Sequence, residues 1–436
     1  MSSHFRVVVV WVLSILGGIA PARGACSDVV FSADYPTVHA ASTDNYQSLK
    51  FDQRRRSIVI PFEYINGFLV VSLRLDDKVP VKFLFDTGSK LTILTEESIL
   101  PLLGRKPQEE IRIIGSDMSV ELRGRILRRV DLQIEEHEIR SQPLIILDSG
   151  VLDLQKLTGE SISGILGVGA FGAYAIRVDY SAGEIRLERS PSARRLRRYA
   201  SLPVIVESDR FYLSARVSVH PGYTDSLKLL LDTGASLSLL INTKPGDTLV
   251  YPPRLVIGDI GTGLGGALYG YVGRSDSVSF GPYSIPQVIT HFQTASDSLS
   301  TGPLQARGGI IGNELLERFD VIFDYPESKL HLRPVRKLSK SKAYDRSGMR
   351  VVKDGVNLNG VRVQYVNRDT PAWKAGIRPG DRVLKVGRVP VNLLGINGVR
   401  RRLRARPGRR VSLLIVRQIG RGDVEVTVEF RLAELI

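Results

Sequence analysis

The sequence predicts a mostly β protein with two similar lobes and a small third domain. Three observations carry this prediction. A segment around Asp86 recurs around Asp232, short apolar runs bounded by Gly, Asp, Asn and Pro fill both copies, and the composition changes after residue 342. We therefore divide the chain into a leader, a linker, two matching halves and a C-terminal domain, at residues 1–25, 26–56, 57–190, 201–334 and 348–436.

The first residues have the pattern of a secretory signal peptide. Arg6 precedes an apolar run at residues 7–19, which is short for a membrane-spanning helix, and small residues follow to Ala25. Cys26 is the only cysteine, so the exported chain makes no disulfide with itself. We expect export to the periplasm or cell envelope. Lipidation of Cys26 is a disfavoured alternative, because Arg23 stands where a lipoprotein signal has an aliphatic residue.

The composition is that of a globular chain with a basic surface. Hydrophobic residues make up 43% of the sequence, charged residues 24%, and the net charge is +15. The charge favours acidic partners, but no zinc-finger or helix-turn-helix pattern supports nucleic acid. The arginines at 400–410 are most simply a solvated helix or turn, with contact to an anionic membrane as the alternative. The six histidines lack ligand spacing, so we expect no metal site.

Two motifs recur at almost constant offsets. Residues 83–91 match residues 229–237 at an offset of 146, and residues 164–167 match residues 309–312 at an offset of 145. A single Asp-Thr-Gly would mean little in a chain of this length. Two in matching apolar surroundings, each at a matched distance from a second motif, indicate duplication of one unit.

A duplicated aspartate has a chemical use that a single one lacks. Two carboxyls about 3 Å apart cannot both ionise, so they share one proton and their pKa values split. The ionised one can take a proton from water while the protonated one donates to a substrate carbonyl. A pseudo-two-fold axis would bring Asp86 and Asp232 together, delivered by buried strands. Gly88 and Gly234 allow tight turns whose N–H groups approach the carboxylates.

These motifs resemble those of the aspartic peptidases, the retropepsins and pepsins, over about 275 residues. The resemblance implies a bilobal aspartic-peptidase fold with two retropepsin-like β-barrel halves, no cofactor, and a peptide or protein substrate. It implies Asp86 and Asp232 as the catalytic dyad, with Thr87 and Thr233 bonded across the axis. Support of the dyad would come from Thr87, Gly88, Ser89, Thr233, Gly234 and Ala235.

The two turns differ at their fourth residue, which is Ser89 in one and Ala235 in the other. In the family this residue lies beside the carboxylate, and a hydroxyl there can donate to the ionised form. The difference predicts that Asp86 is the more readily ionised partner and that Asp232 carries the shared proton.

The resemblance also implies a flap, which is a glycine-rich hairpin that closes over the substrate. The second half supplies the better candidate, formed by Gly261, Thr262, Gly263, Leu264, Gly265 and Gly266. The aligned residues 115–120 of the first half are poor in glycine, although pepsins have their dominant flap there.

The C-terminal segment resembles a PDZ domain of the bacterial protease type, through residues 370–381 and 407–411. A helix pattern after Pro371 ends at Gly376, and a Pro-Gly-Asp turn then opens a strand. Such domains add a peptide as a β-strand and bind its terminal carboxylate through backbone N–H groups. The loop at residues 355–360 is the candidate peptide site, with Leu358, Asn359 and Gly360 as its binding residues.

The sequence therefore predicts an aspartic endopeptidase that acts through a water held by two carboxylates. The PDZ-like domain would recruit the substrate or a partner. The alternative, from another class, is a catalytically inactive peptide-binding or scaffolding protein, in which the carboxylates need not converge. No Gly-x-Ser-x-Gly motif supports a serine hydrolase.

Overall fold

The computed structural model describes residues 6–8, 57–114, 121–148, 150–243, 251–264, 266–294, 308–354, 360–420 and 422–436. Of the predicted leader, only Arg6–Val8 (β1) is described, and it pairs in parallel with the strand Glu109–Ile114. The predicted linker at residues 26–56 lies outside the described residues. Within the described ranges, no helix is both long and apolar enough to cross a membrane.

The first half is built mainly from β-strands, with α1 at Leu100–Leu103 and α2 at Leu154–Thr158. Its strands are β2 (Ser57–Pro61), β3 (Glu63–Ile65), β4 (Phe68–Leu75), β5 (Val79–Asp86), β6 (Thr92–Leu94), β7 (Glu109–Ile114), β8 (Glu121–Ile134), β9 (His137–Leu147), β10 (Gly164–Gly167), β11 (Ala175–Asp179) and β12 (Glu184–Glu188). One sheet runs β1-β7-β8-β9-β6-β10-β5-β4-β3, and an additional β8–β4 pairing folds it back on itself.

The second half repeats this arrangement, after α3 at Ala193–Leu196 and with α4 at Asn313–Leu316. Its strands are β13 (Ala200–Pro203), β14 (Ile205–Glu207), β15 (Arg210–His220), β16 (Tyr223–Asp232), β17 (Leu239–Thr243), β18 (Val256–Gly263), β19 (Gly266–Phe280), β20 (Tyr283–Thr294), β21 (Gly309–Gly312), β22 (Phe319–Asp324) and β23 (Lys329–Pro334). The sheet order is β14-β15-β16-β21-β17-β20-β19-β18, again folded back by an additional pairing, β15–β19.

A third sheet joins the two halves. Its order is β13-β23-β22-β11-β12-β2, so β11 of the first half pairs antiparallel with β22 of the second. Arg177 on β11 donates to both carboxylate oxygens of buried Asp320 on β22, at 2.9 and 2.6 Å. Apolar side chains of both halves, including Phe85 and Phe323, belong to one buried cluster. The halves therefore share this sheet as a common base, and it holds their equivalent strands in a fixed relation.

The basic connector between the halves packs against this base. Arg195 of α3 donates to both carboxylate oxygens of Glu188 at 2.5 Å, and the Tyr199 hydroxyl donates to Asp320 at 2.7 Å. Arg197 and Arg198 are exposed to solvent.

The C-terminal domain has its own buried cluster, which includes Val363 and Leu413. Its elements are β24 (Met349–Asp354), β25 (Gly360–Val366), α5 (Pro371–Lys374), β26 (Arg382–Val386), β27 (Val389–Pro390), α6 (Val391–Leu403), β28 (Arg410–Ile419) and β29 (Gly422–Arg431). The sheet runs β24-β25-β26-β28-β29, with β27 paired to β26. The short helix after Pro371, the turn at Gly376 and the following strand agree with the sequence pattern.

Candidate active site

Equivalent buried strands deliver the two aspartates. Asp86 ends β5, whose last four residues are buried, and Asp232 ends β16 in the same way. In each half a glycine-flanked strand lies parallel beside the aspartate strand, so that Gly167 pairs with Asp86 and Gly312 pairs with Asp232. These flanking strands need glycine, because a Cβ on Gly309 would lie only 1.9 Å from the Leu240 carbonyl oxygen.

The two Asp-Thr-Gly turns meet at one point. The Gly88 N–H donates to Asp86 Oδ1 at 2.7 Å, and the Gly234 N–H donates to Asp232 Oδ1 at 2.7 Å. Each glycine also packs on the opposite carboxyl. A Cβ on Gly88 would lie 2.7 Å from Asp232 Cγ, and one on Gly234 would lie 2.4 Å from Asp86 Cγ. The structure therefore brings together the carboxylates that the sequence paired.

The threonines lock this arrangement through four reciprocal hydrogen bonds. Thr87 N–H donates to Thr233 Oγ1 and Thr233 N–H donates to Thr87 Oγ1, both at 3.0 Å. The Thr87 hydroxyl donates to the Leu231 carbonyl and the Thr233 hydroxyl to the Phe85 carbonyl, both at 2.9 Å. Both threonines are fully buried, so neither half can shift without leaving polar groups unpaired.

The environment of the pair disfavours two negative charges. Asp86 is 0% exposed and Asp232 is 3% exposed. Burial, the charge of Asp232 and a hydrogen bond with its carboxyl raise the pKa of Asp86 well above its ordinary value. Asp86 Oδ2 receives no hydrogen bond from an N–H or hydroxyl donor within the described residues. A single proton shared between the carboxyls would satisfy this geometry.

The side chain of Ser89 does not support the ionisation difference that the sequence suggested. Its hydroxyl donates to the Leu91 carbonyl at 2.8 Å, so its one proton is not available to Asp86. The Ser89 backbone N–H instead lies near Asp86, 3.4 Å from its carbonyl oxygen. Ala235 occupies the same place in the other turn, with its N–H 3.3 Å from the Asp232 carbonyl oxygen. The two turns thus have matching backbones.

Residues that the sequence analysis did not single out also touch the site. Asn313 follows buried β21, and its side chain donates to the carbonyls of Thr233 and Gly67. The Tyr180 hydroxyl donates to Asn313 Oδ1 at 2.6 Å. The sequence gives only a weak indication of this role. Asn313 directly follows the Gly-Ile-Ile-Gly motif of the second half, and the first half has Val168 at the matching position.

The glycine-rich segment of the second half forms a hairpin from β18 and β19. Gly261, Thr262 and Gly263 end β18, and Gly263 pairs with Gly266, which begins β19 with φ +128°. Leu264 at the tip is 0% exposed and belongs to a buried apolar cluster with Phe68, Ile93 and Ile113 of the first half. The hairpin therefore reaches from one half to the other. Gly265, and residues 115–120 of the first half, lie outside the described residues.

The C-terminal domain rests on both halves and on this hairpin. Lys353 of β24 donates to the Gly159 carbonyl at 2.5 Å, and Arg400 of α6 donates to Asn66 Oδ1 at 3.3 Å. A Cβ on Gly258 of the hairpin would lie 2.7 Å from Tyr365 Oη. Side chains of the hairpin strands, β20 and the last residue form one apolar cluster, which consists of Val256, Ile260, Leu268, Val272, Ile289 and Ile436. Truncating the domain would therefore uncover apolar surface of the second half.

The predicted peptide-binding loop is only partly described. Leu358 and Asn359 lie outside the described residues, whereas Gly360 begins β25 and pairs with Asp354. A Cβ on Gly360 would lie 2.8 Å from the Asp354 carbonyl oxygen. Among the described side chains, no group of three or more His, Cys, Asp or Glu could hold a metal ion.

Comparison with known protein families and structures gives two domain matches. Residues 71–170 match the aspartyl protease family, and residues 362–417 match the PDZ domain family. Basic 7S globulin from soybean is 11% identical, with a TM-score of 0.40 over 64% of this chain and 95% of the globulin. An aspartic proteinase from Irpex lacteus is 14% identical, with a TM-score of 0.37 over 64% of this chain and 97% of the proteinase. No curated protein matches the sequence.

The two family matches and the strand arrangement agree with the fold class predicted from sequence. The chain is mostly β, with an aspartic-peptidase fold followed by a PDZ-like domain. An aspartyl protease domain joined to a PDZ domain supports a function of the protease type.

Proposed function

We propose that the chain is an aspartic endopeptidase that cleaves peptide or protein substrates with a water held between Asp86 and Asp232. The observation that carries the proposal is the convergence of two buried carboxyls from equivalent turns, each packed on the glycine of the other. The raised pKa of Asp86 leaves one proton on the pair at a pH where an isolated aspartate has none. That is the protonation state which the reaction requires.

The reaction needs no group beyond these two side chains and water. The ionised carboxylate takes a proton from the water, whose oxygen bonds to the carbonyl carbon of the scissile peptide. The protonated carboxyl donates to the carbonyl oxygen, so that a neutral tetrahedral diol forms. When the diol collapses, the C–N bond breaks, the carboxyl that took the proton from water gives it to the amine nitrogen, and the other carboxylate takes a proton from a diol hydroxyl. One proton then remains on the pair, as at the start.

Substrate access would depend on the hairpin of β18 and β19. Both carboxyls are enclosed in this conformation, and Leu264 lies in the apolar cluster of the first half. We expect the hairpin to withdraw when a substrate enters and to close over it afterwards, which would exclude water from the site. Gly266 at its tip has a φ of +128°, a conformation that glycine adopts readily.

The PDZ-like domain would recruit the substrate or a protein partner by binding a peptide segment. Its sheet ends at β24, which has β25 as its one neighbour in the described sheet, and an edge strand can accept an added peptide. The leader pattern supports export to the periplasm or cell envelope, where the substrates would be found. The basic surface is compatible with contact to anionic envelope components.

The proposal is tested by digesting a peptide library with the purified protein and with single Asp→Asn variants. Asp86→Asn and Asp232→Asn should each abolish cleavage, because neither leaves a pair that can both accept and donate a proton. Asp77→Asn is the matched control, since Asp77 is exposed and has a φ of +52° that asparagine tolerates. Near-normal turnover in either dyad variant would exclude the mechanism. Peptide binding without cleavage by the wild type would favour the non-catalytic alternative.

A further inference from the structure

Asn313 lies at the centre of a buried hydrogen-bond chain that leads to Asp232. Its side chain is 0% exposed, and three hydrogen bonds fix its orientation. The amide nitrogen donates to the carbonyls of Gly67 (2.8 Å) and Thr233, while the amide oxygen accepts from the Tyr180 hydroxyl at 2.6 Å. With the amide reversed, its nitrogen would face the hydroxyl and its oxygen would face two carbonyls, so the assigned orientation is the favourable one.

The chain continues through one peptide unit to the carboxylate. The Thr233 carbonyl that accepts from Asn313 belongs to the same peptide as the Gly234 N–H, which donates to Asp232 Oδ1 at 2.7 Å. A hydrogen bond to the carbonyl of a peptide polarises that peptide and strengthens donation by its N–H. Tyr180 and Asn313 therefore act on Asp232 without touching it.

The other half has no equivalent of this chain at the matching position. The Gly88 N–H donates to Asp86 Oδ1 at 2.7 Å, as Gly234 does to Asp232. The residue after the matching Gly-Ile-Leu-Gly motif is Val168, however, and its aliphatic side chain has no donor. The backbone geometry of the two turns is alike, so this polar side chain distinguishes one carboxylate from the other.

We propose that the Tyr180–Asn313 chain makes Asp232 the ionised member of the pair, so that the shared proton resides on Asp86. The proposal rests on the proposed function and assigns its two roles: Asp232 takes the proton from water, and Asp86 donates to the substrate carbonyl. It reverses the assignment that the Ser89 and Ala235 difference suggested. Tyr180 and Asn313 are positioning residues in this scheme.

The surroundings keep Tyr180 neutral and able to donate. Burial, together with the charge of Glu317, raises the pKa of its phenol well above the ordinary value. Glu317 itself is paired with Lys342 at 2.8 Å and with Arg336 at 3.0 Å. The ionisable groups around the chain and the dyad include Glu314 on α4 and Glu317 just after it, and Tyr64, Tyr325 and Asp209 from other elements. Burial also raises the pKa of Tyr64 and Tyr325, so neither phenol ionises in the range where the dyad titrates.

The test follows the carboxyl carbons directly, so it does not depend on activity. The protein is labelled with ¹³C at aspartate Cγ, and the two resonances are assigned with Asp86→Asn and Asp232→Asn. In the wild type, the first ionisation of the pair should move the Asp232 resonance more than that of Asp86. Asn313→Val places in the second half the side chain that Val168 has at the matching position of the first half. It should raise the midpoint of that ionisation by roughly a few tenths of a pH unit and divide the chemical-shift change more evenly between the two aspartate resonances.

Tyr180→Phe should move the midpoint in the same direction by a smaller amount, because it removes only the first link. The double variant should shift it no further than Asn313→Val alone, since both act through one chain. Tyr283→Phe is the control, because its hydroxyl donates to the Leu332 carbonyl at 2.9 Å in the shared sheet, away from the turns. If Asn313→Val does not fold, Tyr180→Phe decides the question.

A larger first change at Asp86 in the wild type would overturn the proposal. So would a midpoint that neither Tyr180→Phe nor Asn313→Val moves. The acid limb of the pH–rate profile gives a second readout, which should shift with the NMR midpoint in an active enzyme. A wild type that titrates as expected but cleaves no peptide would refute the proposed function and leave the proton assignment standing. Peptide cleavage together with an ionisation midpoint that neither variant moves would support the proposed function and refute the proton assignment.

Discussion

The hydrogen bonds between the two turns predict a large cost for Thr87→Val. Valine has nearly the shape of threonine, so the change removes little except the hydroxyl. Thr87 Oγ1 accepts from the Thr233 N–H at 3.0 Å and donates to the Leu231 carbonyl at 2.9 Å, and all three residues are buried. The variant leaves one buried N–H and one buried C=O without partners. At about 1–3 kcal/mol for each group, the free energy of unfolding should fall by about 2–6 kcal/mol.

Such a loss is a large part of the roughly 5–15 kcal/mol that stabilises a typical domain. Guanidinium unfolding followed by far-UV circular dichroism measures it. Tryptophan fluorescence is less suitable, because the two tryptophans are Trp11 and Trp373, outside the two halves. Thr87→Ser keeps the hydroxyl and should cost only about 1 kcal/mol for the lost methyl group. Thr243→Val removes a single bond within one half, to the Gln293 carbonyl at 3.1 Å, and should cost about half as much as Thr87→Val. If Thr87→Val lowers the unfolding midpoint no further than Thr87→Ser does, the hydroxyl does not hold the halves together.

Three further predictions concern the dyad and the hairpin. The pKa of Asp86 is raised in the folded protein, whereas an aspartate in the unfolded chain has a pKa of about 3.9. The wild type therefore loses stability as the pH rises from below about 3.9 through the pKa of folded Asp86, and Asp86→Asn, which stays neutral, does not. Asp86→Asn should therefore unfold at a higher denaturant concentration than the wild type at pH 7, and this advantage should disappear near pH 3. Gly234→Ala places a Cβ 2.4 Å from Asp86 Cγ and should lower peptide turnover by about 100-fold or more, whereas Gly172→Ala, with 3.7 Å to its nearest neighbour, should leave turnover unchanged. Leu264→Ala removes a buried contact worth about 2–4 kcal/mol, so hydrogen exchange should quicken in the hairpin amides. Ile257→Ala, at a site 66% exposed, should not quicken it, and equal exchange in both variants would contradict the closed hairpin.

Much of the site could be predicted from sequence because it depends on local patterns that occur twice. Three apolar residues before Asp86 and before Asp232 predicted buried strands, and the structure ends β5 and β16 at these residues. The glycine after each threonine predicted turns whose N–H groups reach the carboxylates, and both bonds are present at 2.7 Å. The duplication supplied the long-range information, since two copies of one unit meet most simply about a pseudo-two-fold axis.

Only the tertiary structure decided where side chains with several possible partners point. The sequence beside Asp86 suggested that the Ser89 hydroxyl would face the carboxylate, but a carbonyl two residues further on accepts its proton. Nothing local marks Tyr180 and Asn313 as partners, because they are 133 residues apart and belong to different halves. The burial of Leu264 in the opposite half and the contact of the C-terminal domain with the hairpin arise in the same way. Local patterns specify strands and turns, whereas the partner of a polar or apolar side chain is chosen among all groups that the packed chain brings within a few ångströms.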